Sequence, residues 1–145
     1  REVSVAEFFV TPKTDNQREN ALQHNEVLAS IVIPASSRGL HSATYEVRHK
    51  TALDWPLAAA AVAVKLEDGK VTASKVVLGH VAPIPWQSPD AAKELMGKTV
   101  NESVAAGAGE AAVRGAKPLS QNAYKVKLAK VAVKRALLAA VKGEA

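Results

Sequence analysis

Leu78-Gly79-His80-Val81-Ala82-Pro83-Ile84-Pro85-Trp86 is the stretch whose residue types best suit a ligand. Two prolines and a glycine stiffen it and it ends on a large aromatic ring, so it reads as a rigid loop able to cover a flat molecule. Other chemistry-bearing residues are sparse. His24, His41, His49 and His80 could suggest a metal, but none pairs at i,i+4 on a helix and no carboxylate cluster accompanies them. His41 and His49 would share one side of a strand, yet ~26 Å apart at about 3.3 Å per residue. No metal site is expected. Gly107-Ala108-Gly109-Glu110-Ala111-Ala112 fits the loose dinucleotide pattern with alanine in the last place. That pattern needs a strand before it and a helix beginning at it, so that backbone N–H groups meet a pyrophosphate. Here it falls inside a predicted helix, and close helix packing explains the small residues better. Asn101-Glu102-Ser103 matches a glycosylation sequon that a helix cap accounts for. Asp54, beside Trp55, is expected to be a turn residue, with Arg48 and Lys50 as candidate ion-pair partners of little weight if exposed. No Ser-His-Asp order or carboxylate pair emerges, so no catalytic residue is assigned.

The elements that would position the loop are legible on both sides of it. Glu26 to Ile33 is β-branched and ends at Pro34, which predicts a strand. Ala35 to Gly39 predicts a long turn or linker. Tyr45, Val47 and His49 alternate with Glu46, Arg48 and Lys50, the pattern of a half-buried strand. Asp68-Gly69 supplies the positive φ of a tight hairpin turn between strands at roughly 57–66 and 70–79. The first of these is almost all Ala and Val, so it should be the central strand, covered on at least one face. Ser88 and Pro89 open a short helix that Gly97 ends. Thr99-Val100-Asn101-Glu102 has capping-box spacing and opens a second helix ending at Gly115. After Pro118, Asn122 or Ser120 opens a third helix running to about Val141 and stopped by Gly143. Its apolar stripe is Val126, Ala129, Val133, Ala136 or Leu137, and Ala140. The expected fold class is α+β: a three-stranded antiparallel sheet packed on a small helical cluster and preceded by a strand-and-loop tail.

Composition sets wider bounds. The chain's 145 residues suffice for one core and a small appendage. Without cysteine it can supply no disulfide, thiolate nucleophile or Fe–S ligand. The longest apolar run, Pro56 to Val64, is too short to span a bilayer. The chain begins at Arg1 with no signal-like segment, and reads as a fragment or processed piece. Net charge is +5, and from Ala111 to Gly143 every charged residue is basic. That could be an electrostatic footprint for nucleic acid, or a solvated face or docking surface for an acidic partner. Tyr124 is the only aromatic beyond Trp86, which favours the second reading.

Taken in order, these residues resemble the FAD-carrying subunit of the molybdenum hydroxylases, the group of xanthine dehydrogenase, carbon monoxide dehydrogenase and bacterial aldehyde oxidoreductase. Arg1-Glu2-Val3, Phe8-Phe9 and Leu22 to Pro34 look like the tail of that family's flavin-binding lobe. Tyr45-Glu46-Val47-Arg48, Asp54 and the Ala-rich strand look like the start of its carboxy-terminal domain. Residues 78–86 are similar to its Gly-Gly-Val-Ala-Pro-Thr-Pro-Trp turn, with His80 replacing the second glycine. Ala116 to Val126 and Lys134-Arg135-Ala136-Leu137 fit as well, and the aldehyde-oxidoreductase branch looks most similar. The resemblance implies a division into 1–37, the lobe's tail, and 38–145, the carboxy-terminal domain. It implies FAD as cofactor, a molybdopterin-binding large subunit and a 2Fe–2S small subunit as partners, and no membrane or nucleic-acid role. A cytoplasmic location is expected, with the periplasm open through export with a partner. In the family the loop after the third strand lies over the flavin, so Gly79, His80, Val81 and Trp86 would approach the isoalloxazine, Trp86 foremost. The alternative for Trp86 is a packing anchor between the sheet and the first helix. The family's glycine-rich pyrophosphate loops lie upstream of the matched segment and have no counterpart in these residues. This chain alone is therefore expected to bind FAD weakly or not at all and to turn nothing over.

Overall fold

The structure, a computed structural model, describes residues 1–49 and 54–143. After a one-turn helix α1 (Val5–Phe8) and a 3-10 turn (Ala35–Ser37), the chain forms β1 (His41–Val47), β2 (Ala58–Glu67), β3 (Lys70–Gly79) and β4 (Trp86–Gln87). Three helices follow: α2 (Pro89–Leu95), α3 (Glu102–Ala112) and α4 (Tyr124–Lys142). The sheet is antiparallel in the order β1-β2-β3-β4. The α+β class holds, and a fourth, two-residue strand joins the three expected.

The β2–β3 hairpin turns where predicted. Asp68 and Gly69 both take positive φ, 50° and 73°, the geometry that matches a two-residue turn to strand twist. Along β2, Ala58, Ala60, Val62 and Val64 are buried, while Ala61 and Lys65 are exposed. One sheet face is thus covered by helices and the other left open, as antiparallel sheets allow. α4 packs on β1 and β2, α3 on α4, and α2 on α3 and β3. Among the described residues, every buried apolar side chain lies between Ala43 and Ala140.

Small residues set the helix spacing. α3 and α4 pack on each other, and Ala105, Ala108 and Gly109 of α3 and Ala129, Val133 and Ala136 of α4 are all buried. A Cβ on Gly109 would lie 2.6 Å from the backbone oxygen of Lys130, so only glycine permits the approach. Gly107-Ala108-Gly109 is therefore a helix-packing surface lying inside α3. Glu110 and Glu102 of α3 pair with Lys130 (2.6 Å) and Lys134 of α4 across the seam.

Helix boundaries follow local chemistry with one shift. The Ser88 hydroxyl accepts from the Ala91 N–H (3.3 Å) and Pro89 is the first helical residue. Gly97, Gly115 and Gly143 each take left-handed φ just past a helix. The cap of α3 is Asn101, whose Oδ1 accepts from the Val104 N–H at 2.9 Å, in place of the box expected at Thr99. α4 begins at Tyr124 without a side-chain cap; Asn122 Oδ1 instead accepts from the Leu119 N–H (2.7 Å), fixing the preceding turn.

The amino-terminal tail departs from expectation. Residues 26–33 form no strand. Val27, Ile31, Val32 and Ile33 are each more than two-thirds exposed. β propensity without a neighbouring strand makes no ladder. Arg1 clasps this region instead, donating to Glu26 Oε1 (2.7 Å) and to the carbonyl of Ala21 (2.7 Å). The strand expected to run on through His49 ends at Val47, and Lys50 lies outside the described residues.

Candidate functional site

The site is the turn between β3 and β4. Leu78 pairs with Trp86 and Val77 with Gln87, so the sheet closes residues 79–85 into a loop and fixes where Trp86 stands. Pro83 and Pro85 hold that loop stiff. Its sharpest bend is His80, whose φ of 60° is left-handed, a conformation disfavoured in a residue with a Cβ. Lys125, at the start of α4, donates through Nζ to the His80 carbonyl oxygen (3.2 Å) and ties the bend to the helical layer. Glycine adopts such a φ without a Cβ penalty, so His80 holds the bend at some conformational cost.

The structure divides the four predicted residues among three surroundings. Gly79 ends β3 with its α-carbon facing the methyl of Ala59; a Cβ there would make ordinary contact at 3.5 Å. The His80 ring stands edge-on to Trp55, with centroids 6.0 Å apart and planes at 63°. Val81 and Trp86 line a cavity of about 440 Å³ between the loop, the turn after α3 and the first turns of α4. Trp86 is 53% exposed. The buried residues of α2 and its cap are Ser88, Ala91 and Leu95.

Sequence reasoning passed over Trp55 as a site residue. It is 81% exposed, and Asp54 Oδ1 accepts its backbone N–H at 2.7 Å. The one available signal was a large aromatic in a Leu-Asp-Trp-Pro turn next to a strand. Nothing local could pair it with His80, 25 residues on. Arg48, just past β1, donates to Glu46 Oε2 of that strand through Nη2 at 2.5 Å and Nε at 2.9 Å. The candidate pairing of Lys50 with Asp54 lies outside the described residues.

The cavity has an apolar floor and a cationic rim. Leu78, Val81, Trp86, Val113 and Val126 supply the floor, and Arg114, Lys117 and Lys125 stand at the rim. No carboxylate lines it. The nearby Glu94 carboxyl is held below its ordinary range mainly by the hydrogen bond and charge of Lys98, with a smaller pull from Arg114. His24 lies 3.5 Å from Arg18, His41 opens β1 and His49 follows it. Among the described residues no three His, Asp or Glu gather as metal ligands, and no helix is long and apolar enough to cross a membrane.

Known proteins resemble the chain in sequence and in fold. The profile of the CO dehydrogenase flavoprotein C-terminal domain matches residues 43–140. The carbon monoxide dehydrogenase medium chain of Hydrogenophaga pseudoflava is 32% identical over 123 residues, 82% of this chain and 42% of that protein. Quinoline 2-oxidoreductase from Pseudomonas putida 86 superimposes with a TM-score of 0.70 at 32% identity, over 79% of this chain and 40% of its own. The Hydrogenophaga carbon monoxide dehydrogenase that lacks the Mo-pyranopterin moiety gives 0.68 at 31%, over 76% of this chain and 39% of its own. The chain thus spans about two fifths of the relatives it matches. With the matched segment covering the whole buried core, this chain belongs to the CO dehydrogenase flavoprotein C-terminal domain family.

Proposed function

We propose that this chain is the carboxy-terminal part of the FAD subunit of a molybdenum-containing hydroxylase, with residues 79–86 forming part of the wall over the flavin. The observation that carries the reading is the His80 bend. A strained turn pinned by Lys125 leaves His80, Val81, Trp86 and the neighbouring Trp55 uncovered on a rigid sheet end. Exposed aromatic and aliphatic side chains on a stiff loop suit one side of a flat heteroaromatic ring. Gly79 lets the chain leave the sheet, His80 and Trp55 present ring edges, and Val81 and Trp86 exclude water. The described residues offer no glycine-rich strand-to-helix turn for a pyrophosphate, so they fit the ring end of FAD and not its dinucleotide end. Held there, FAD would take electrons from 2Fe–2S clusters and hand them to an acceptor.

On this reading, 1–37 belongs with the flavin-binding lobe and 38–145 forms the carboxy-terminal domain. The partners are a molybdopterin-binding large subunit and a 2Fe–2S small subunit, in the cytoplasm or exported together. The chain alone would hold FAD weakly or not at all. A stand-alone module using its basic helix for nucleic acid or an acidic protein has less support, because Lys130 and Lys134 are engaged by glutamates of α3.

The test is affinity capture of the tagged chain from its host at moderate salt, with partners identified by mass spectrometry. Large molybdopterin and small iron–sulfur subunits should be recovered. Recovering neither, or a purified chain that is stoichiometrically yellow by itself, would refute the proposal. In the assembled enzyme, Trp86→Ala and Trp55→Ala should change flavin fluorescence and content while leaving the subunits together.

A further inference from the structure

We infer that the cavity behind the loop is a binding site for a small organic anion with an apolar, ring-sized body; it shares Val81 and Trp86 with the flavin wall proposed above and involves neither His80 nor Trp55. Its volume, about 440 Å³, lies within the range of small-molecule sites. The floor offers Leu78, Trp86, Val113 and Val126 to an apolar body. The rim offers three cations and no carboxylate. The contrast along α4 is informative. Lys130 and Lys134 find glutamates on α3, whereas Lys125, a turn earlier, has only the His80 carbonyl, and Lys117 has no hydrogen-bond or ion-pair partner among the described residues. Arg114 feels Glu94 only at a distance. Asn122 Oδ1 is taken by the Leu119 N–H, which leaves its side-chain NH₂ as a further donor. Apolar floor, cationic rim and spare amide donor together select a carboxylate-headed or sulfonate-headed ligand over a neutral one of the same shape.

The experiment uses the 145-residue chain, naphthoate as the anionic probe and naphthamide as its neutral counterpart, titrated by calorimetry at low and high salt. Naphthoate should bind one-to-one and about tenfold tighter than naphthamide, the gain of a few exposed charge contacts. The preference should shrink in concentrated salt. Replacing both Arg114 and Lys117 by glutamine should remove most of it, and Ala116→Trp, at an exposed position lining the cavity, should abolish binding of both probes. Unchanged circular-dichroism melts certify the variants, and the double glutamine variant, altered only on the surface, stands if the tryptophan variant does not fold. Equal binding of acid and amide, or a preference that survives the double variant, would overturn the site. So would loss of naphthoate binding when the chain is assembled with its partner subunits, since protein would then be what covers the cavity. The outcome is separable from the flavin proposal, because the probes are read on the chain without FAD.

Discussion

Gly109→Ala is the substitution for which the structure makes the sharpest demand. In an isolated helix the change is favourable, by about 1 kcal/mol. Here the new Cβ would sit 2.6 Å from the Lys130 carbonyl oxygen and 3.3 Å from its carbon, both backbone atoms. The shortfall is about 0.9 Å from a comfortable contact of roughly 3.5 Å. A backbone segment inside a 19-residue helix cannot rotate away as a side-chain tip would. α3 and α4 must part by several tenths of an ångström along a seam made mostly of alanines, whose short side chains cannot extend to refill it. A gap of 0.5–1 Å forfeits about a quarter to a half of each dispersion contact, and overpacking of this kind costs about 1–3 kcal/mol. The propensity gain offsets about 1 kcal/mol of that, leaving a net loss of up to about 2 kcal/mol. Gly107→Ala is the control. Its Cβ would meet only the flexible Glu94 side chain at 3.7 Å, so the propensity gain should survive as about 0.5–1 kcal/mol of added stability. Urea unfolding followed by circular dichroism, with equal slopes, reads both changes. If Gly109→Ala proves as stable as the parent, glycine is not what sets the α3–α4 distance and the packing account fails.

Three further outcomes follow from the same geometry. Ser88→Ala removes the buried cap of α2 and should cost about 1 kcal/mol in the same unfolding assay, with threonine restoring most of it. The Glu26 carboxyl is lowered to about 2, first by the hydrogen bond from Arg1 and then by the Gln23 N–H. Because its folded value is depressed, the clasp's contribution is present above the ordinary carboxylate range and is lost as pH falls toward 2. A carboxyl ¹³C titration should place its midpoint near that value, and Arg1→Ala should bring it back up; an ordinary midpoint in the parent would show the clasp is not formed. Lys125→Met removes the tie to the His80 carbonyl, so amide hydrogen exchange should accelerate across residues 80–85 with global stability changed by less than about 1 kcal/mol. Unchanged exchange there would mean the prolines alone hold the bend.

What could be read along the chain was what neighbouring residues decide among themselves. Asp68-Gly69 turns the hairpin because both positions accept positive φ at little cost, and no distant partner is needed. Gly97, Gly115 and Gly143 stop their helices for the same local reason. The alanines and valines of β2 announced an inner strand, and the ordered motifs from Tyr45 to Leu137 were enough to point to the family. The exact cap of α3 was less legible, since Thr99 and Asn101 are both competent and only the path of the chain out of Gly97 and Lys98 chooses between them.

Tertiary structure decided the rest. Residues 26–33 have every local mark of a strand and remain unpaired, because a strand exists only where another offers its N–H and C=O groups. Trp86 became an edge-strand residue because Leu78 was there to pair with it. His80 met Trp55 and Lys125 across 25 and 45 residues of chain, and the cavity joined three segments that the sequence keeps apart. Turn and cap preferences are carried by a few adjacent dihedral angles, whereas a site is a set of distances between remote residues. Those distances are set only when the packed sheet and helices repay the entropy of closing the loops between them.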